Sequence, residues 1–126
     1  MQSLKTEPAS VAVRTTSVTI VHACLERGVK VELELSQIPD PQQLAQAAGT
    51  RAHIVEGSRG GFFRLSLGEL VAVSAVLRSN RVTAMYSILR REQAVEYLDH
   101  SFPGYADEYE FAREDLNTSR EARGRA

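Results

Sequence analysis

Cysteine occurs once in this 126-residue chain, at Cys24, and tryptophan not at all. A lone cysteine excludes an internal disulfide framework and any multi-cysteine metal site, and it points to a reducing compartment. Apolar runs are short: none approaches the roughly 18 residues of a membrane span, and Met1 to Ser10 carries no hydrophobic signal core. The expectation is a cytoplasmic protein without membrane association. His22, His53 and His100 are scattered, none with a partner at metal-ligand spacing, so neither a metal nor another cofactor is expected. No nucleophile-elbow pattern is present, and the glycine-rich stretch 57–61 leads from one expected strand into another rather than opening a helix as a phosphate loop does. These absences together point away from an enzyme.

The chain does contain enough apolar residues, 43%, balanced by 25% charged ones, to build one soluble globular domain around one core. Its net charge of -1 conceals a segregation along the sequence. Residues 51–91 carry seven arginines (Arg51, Arg59, Arg64, Arg78, Arg81, Arg90, Arg91) against Glu56 and Glu69, whereas residues 92–115 carry eight acids and only Arg113. Such runs are either a solvated surface whose signs pair, or an arginine-rich face for a polyanion beside an acidic segment that competes for it.

Val11 to Val13 is read as a short first strand. Val18, Val21, His22 and Leu25 fall on one helical face, with Ser17 as cap and Gly28 as stop, which predicts a helix over 18–27; the β-branched run 18–21 argues instead for a strand, and the helix is preferred. Cys24 then becomes a small core residue. Val29, Val31, Leu33 and Leu35 alternate with Lys30, Glu32 and Glu34, the period of a strand with one buried face. Asp40 as cap, Pro41 at the first helical position and Gly49 as stop bound a short helix. Residues 52–56 and 62–66 form a hairpin about the glycine-rich turn. Ser66 and Glu69 have capping-box spacing, predicting a helix to about Arg78 with Leu67, Leu70, Val71, Ser74 and Leu77 inside. A further helix, capped by Ser79 or Asn80, runs through Asp99 and stops at Pro103-Gly104.

The expected fold is thus α+β, a small two-layer βαβαββ sandwich with a carboxy-terminal pair of helices. Residues 1–10 form a flexible amino terminus and 11–102 a single domain, with 11–67 supplying the sheet and two helices and 68–102 a helical extension. Residues 103–126 form a polar, largely disordered tail. Two helices with apolar stripes exceed what one small sheet can cover, which predicts a homodimer.

The glycine leading into the alternating strand 29–35, the connection Pro39-Asp40-Pro41, the short helix ended by Gly49 and the hairpin strand Phe62-Phe63-Arg64-Leu65 make Gly28 to Leu67 resemble the second half of the TusA/SirA-like sulfur carriers, whose whole fold would span roughly residues 11–67. The resemblance implies the βαβαββ order. Where that family has its Cys-Pro-x-Pro motif this chain has Thr15-Thr16-Ser17-Val18, so no sulfur can be carried there. Nucleic-acid-binding relatives share the same order, the archaeal chromatin protein Alba among them, and fold alone does not choose between functions. Phe62 to Leu67 followed by the two expected helices also resemble a ribbon-helix-helix DNA binder.

The functional expectation is a small non-enzymatic binding or regulatory protein that contacts DNA or RNA. Arg59 lies at the tip of the hairpin with Arg51 and Arg64 at its base, Phe62 is placed to stack on a base, and Arg78, Arg81, Arg90 and Arg91 form a second basic cluster. The alternative is a protein-interaction module acting through the carboxy-terminal helices and the acidic segment, with a sulfur-relay accessory as a third reading.

Overall fold

A computed structural model of the protein describes the backbone of residues 13–125 and the side chains of residues 13–115. The amino-terminal segment 1–10 and, apart from Val13, the short strand expected at 11–13 lie outside the described residues. Val13 itself is irregular and half-buried against the core.

The order of elements is β1 (Thr15–Cys24), β2 (Gly28–Leu35), α1 (Pro41–Ala48), β3 (His53–Gly57), β4 (Gly60–Leu67), β5 (Val71–Val76), β6 (Arg81–Tyr86), a 3-10 turn (Ile88–Arg90), α2 (Arg91–Ser101) and α3 (Tyr105–Arg125). The class is α+β, as expected, and two helices follow the sheet, at 91–101 and 105–125 rather than at 67–78 and 80–99. The strands form one antiparallel six-stranded sheet in the order β1-β2-β6-β5-β4-β3. Every inner strand alternates. Val29, Val31, Leu33 and Leu35 of β2, Phe63, Leu65 and Leu67 of β4, Val71, Val73 and Ala75 of β5, and Val82, Ala84 and Tyr86 of β6 are buried on one face. Onto that face pack Ala45 of α1, Ala94 and Leu98 of α2, Phe102, and Tyr105 and Tyr109 of α3.

The strand at 29–35, the helix bounded by Asp40 and Gly49 and the hairpin are where the sequence places them. The Asp40 carboxylate accepts from the Gln42 and Gln43 amides, at 2.9 and 3.5 Å, and Gly49 closes α1 at φ 70°. Residues 28–67 therefore follow the order strand, helix, strand, strand. What precedes and follows them differs from the expected order in three places.

First, 18–27 is not a helix: β1 occupies it to Cys24, its β-branched residues paired with β2. Register shifts between Thr15 and Ser17 and between Ile20 and His22 add residues to the strand, and these bulges break the two-residue period into a spacing that imitates a helix. Cys24 is exposed at the strand end, its sulfur accepting from the Arg27 amide at 3.2 Å, and is not a core residue.

Second, 68–102 is not a helical extension. Gly68 and Glu69 both have positive φ, 58° and 60°, and with the Leu70 amide donating to the Leu67 carbonyl at 3.0 Å they make a hairpin turn instead of a capping box. Residues 71–76 and 81–86 are strands, and only from Arg91 does the expected helix exist. Asn80 caps nothing. Its carbonyl accepts from the Leu35 amide and its side-chain N–H donates to the Leu35 carbonyl, at 2.8 and 3.0 Å, fastening β6 to β2.

Third, the acidic segment after Phe102 is the helix α3, seated on β1 and α2. Its start is anchored by the Asp99 carboxylate, which accepts from the Ala106 amide at 2.9 Å. The Thr15 amide and hydroxyl donate to the carbonyls of Pro103 and Phe102, at 2.8 and 3.1 Å. With 68–86 in the sheet, the surplus of helical apolar stripes that predicted dimerisation does not exist: Leu67, Val71 and Leu98 are core, whereas Met85 and Leu89 are exposed.

The Tyr86 and Tyr105 hydroxyls share a hydrogen bond of 3.2 Å, and the Tyr105 ring stacks on Tyr109 at a centroid distance of 5.5 Å. Burial pushes both bonded phenols above the usual 10.0, and for Tyr86 the neighbouring Tyr105 adds to the effect. The native state therefore keeps both protonated where the unfolded chain ionises them. Stability is complete below pH 10.0 and falls above it, by about 1.4 kcal/mol per pH unit for each phenol held neutral. Urea midpoints should fall steeply above that pH; a midpoint unchanged in strong alkali would contradict the assignment.

Candidate nucleic-acid interface

The hairpin pairs Gly57 with Gly60, leaving Ser58 and Arg59 as its two-residue turn. Arg59 is exposed at that tip. Because β4, β5 and β6 run antiparallel, the β5–β6 turn returns to the same end of the sheet. It brings Arg78 there, exposed and at φ 65°, and Arg81 at the start of β6. The two turns are joined by the Leu77 amide, which donates to the Gly61 carbonyl at 2.9 Å. Among the described residues the one ion pair is Arg113–Glu110, so none of these three arginines is held by a carboxylate. Glu56, opposite Gly61, is the hairpin's only acid.

The structure divides the arginines that the sequence groups together. Arg90 and Arg91 follow β6 and lie beyond its other end, at the 3-10 turn and the start of α2. Arg51 is exposed in the connection from α1 to β3, near that opposite end. One rim therefore carries Arg59, Arg78 and Arg81, while Arg51, Arg90 and Arg91 are elsewhere.

Phe62 and Arg64 belong to neither rim. The helices cover only one face of the sheet, and these two side chains stand on the other, with the Arg64 guanidinium 5.7 Å from the centre of the Phe62 ring. Phe62 pairs with Val76 on one side and Val55 on the other. The three are 39%, 63% and 39% exposed, and Met85 of β6 is 44% exposed. Further along, Arg64 lies between His53 and Ser74, Ser74 pairs with Thr83, and Thr83 with Glu32. This surface is hidden in the sequence by the helix-capping spacings at Ser66, Glu69 and Asn80, which predict helices over the residues that form β5 and β6. A period of two is present in Val71, Val73 and Ala75 and in Val82, Ala84 and Tyr86, but the apolar Ala72, Val76 and Met85 beside them blur it, where 29–35 has only Lys and Glu between its apolar residues.

The histidines are dispersed: His22 opposite Lys30 in β1, His53 at the start of β3 and His100 in α2. Among the described residues no group of three or more His, Cys, Asp or Glu side chains converges, and no helix is long and apolar enough to cross a membrane. No family model, curated protein or solved structure matches this chain, so the reading of the rim rests on its geometry.

Proposed function

We propose that this is a non-enzymatic nucleic-acid-binding protein that grips the phosphate backbone with the rim formed by Arg59, Arg78 and Arg81. The observation that carries the reading is the convergence of two turn arginines, distant in sequence, on one end of the sheet, neither of them in an ion pair among the described residues although Glu56 stands nearby. Fixed turns hold the charges at low entropic cost, and a guanidinium presents a fork of donors that matches phosphate oxygens. Contacts of this kind position a strand without reading its bases, so sequence preference should be slight.

Retention of single- and double-stranded oligonucleotides at several salt concentrations tests it. Each phosphate contact contributes roughly 0.7 to 0.9 to the slope of log affinity against log salt, so Arg59→Ala and Arg78→Ala should each lower the slope by about one. Neither side chain packs in the core, and Arg59→Ala should change stability by no more than about 0.5 kcal/mol. Wild-type protein that passes unretained even at low salt, or both variants binding as wild type does, would sink the proposal.

A further inference from the structure

The uncovered face of the sheet carries charges of both signs placed symmetrically about its centre. Across its middle runs a single row, Glu32 of β2, Thr83 of β6, Ser74 of β5 and Arg64 of β4, each paired with the next. The seam between β6 and β5 is the centre of that row, and Glu32 and Arg64 stand one strand away from it on either side. A two-fold axis lying parallel to the strands above this seam turns the row onto itself. It sets Arg64 over the second copy's Glu32, and Glu32 over its Arg64.

We infer that two copies of this chain pair face to face about that axis, with two Glu32–Arg64 ion pairs across the interface. Met85 and Ala72, partners in the adjacent row, exchange in the same way, so that a large side chain faces a small one. The Arg64 guanidinium leans over Phe62, and the second copy's Glu34 stands opposite Phe62; Arg64 is therefore reached by two carboxylates. The alternative axis in the plane of the face, perpendicular to the strands, would set Glu32 on Glu32 and Arg64 on Arg64. Like charges in direct opposition oppose association, and this selects the first axis.

Six strands about 4.8 Å apart and three rows about 7 Å apart make a face of roughly 29 by 20 Å, so that two such faces enclose about 1,160 Å², above the roughly 1,000 Å² that a specific interface needs. Packed sheets cross at about 30°, which spreads their corners but keeps the pairs beside the seam in register. The pairing does not depend on the nucleic-acid reading. Where both hold, the axis leaves Arg59 and Arg78 of both copies on the same end of the dimer, while Arg81, which shares the open face with Thr83 and Met85, enters the interface beside Glu34.

Sedimentation equilibrium of the full chain tests the pairing through a charge swap. Wild type should be a dimer. Arg64→Glu and Glu32→Arg, both at exposed positions and checked for native circular dichroism, should each raise the dissociation constant by at least about tenfold, equivalent to about 1.4 kcal/mol. The double variant should recover most of that loss, which a merely unfolded or over-charged protein cannot do. A wild-type monomer at high concentration, or a double variant no better than either single, would overturn the inference. So would a monomer whose Phe62→Ala variant loses oligonucleotide retention, since the face would then belong to nucleic acid.

Discussion

A chain cut after Phe102 is expected not to fold, although nothing in the composition of residues 103–126 suggests a structural role. Tyr105 and Tyr109 are 0% and 2% exposed, and they close the core over β1 and Tyr86. Removing one large buried aromatic costs about 3–5 kcal/mol, and removing two approaches the 5–15 kcal/mol that holds a typical domain together. The cut also withdraws the Pro103 carbonyl that accepts from the Thr15 amide. The acidic segment is therefore not a detachable competitor for the arginines, and its deletion cannot be used to unmask binding. Tyr105→Ala is the finer instrument, with an expected loss of about 3–5 kcal/mol in urea denaturation. Tyr105→Phe should cost about 1 kcal/mol, because the buried Tyr86 hydroxyl loses its bond to Tyr105 and keeps only Tyr109 beside it. A truncated chain with a native spectrum and a cooperative melt would refute this account of α3.

The second large effect is expected at Gly28, where β1 turns into β2. Its φ is +76°, and a Cβ there would lie 2.5 Å from the Tyr86 carbonyl oxygen, in the backbone of the neighbouring strand β6. Alanine must therefore bear a left-handed conformation, about 1–2 kcal/mol, and push apart β2 and β6 at the end of their ladder, another 1–3 kcal/mol. Gly49 provides the control: its φ is +70°, yet a Cβ there meets nothing within 4 Å. Gly49→Ala should show the conformational cost alone. Chemical denaturation of the two variants separates the terms, and equal losses would mean that the close approach to Tyr86 carries no weight.

How much of this could be read beforehand depended on how local the cause was. The capped helix α1 and the β3–β4 hairpin are specified by residues within a few positions of one another: Asp40, Pro41 and Gly49 for the one, Gly57 to Gly61 for the other. The strand β2 was equally plain, because four buried residues at a period of two admit no helix. Its neighbour β1 was obscured by bulges, which are visible only once a partner strand defines the register. In β5 and β6 the alternation was present, but Ser66, Glu69 and Asn80 offered helix-capping readings that the chain does not use. Gly68 and Glu69 turn instead, and Asn80 serves Leu35, a residue 45 positions earlier.

The sequence by itself determined the α+β class, the alternating apolar set that makes a half-buried sheet, the exposed hairpin arginine Arg59 and the segregation of charge along the chain. Only the tertiary structure decided which arginines act together. Arg78 and Arg81 join Arg59 because antiparallel pairing returns their turn to the same end of the sheet, while Arg90, which is closer to Arg81 in sequence, is carried to the far end by the length of β6. It likewise decided that the acidic tail holds two core tyrosines and that one face of the sheet is left bare. Those outcomes depend on which surfaces bury one another across long stretches of chain, and no spacing between neighbouring residues records that.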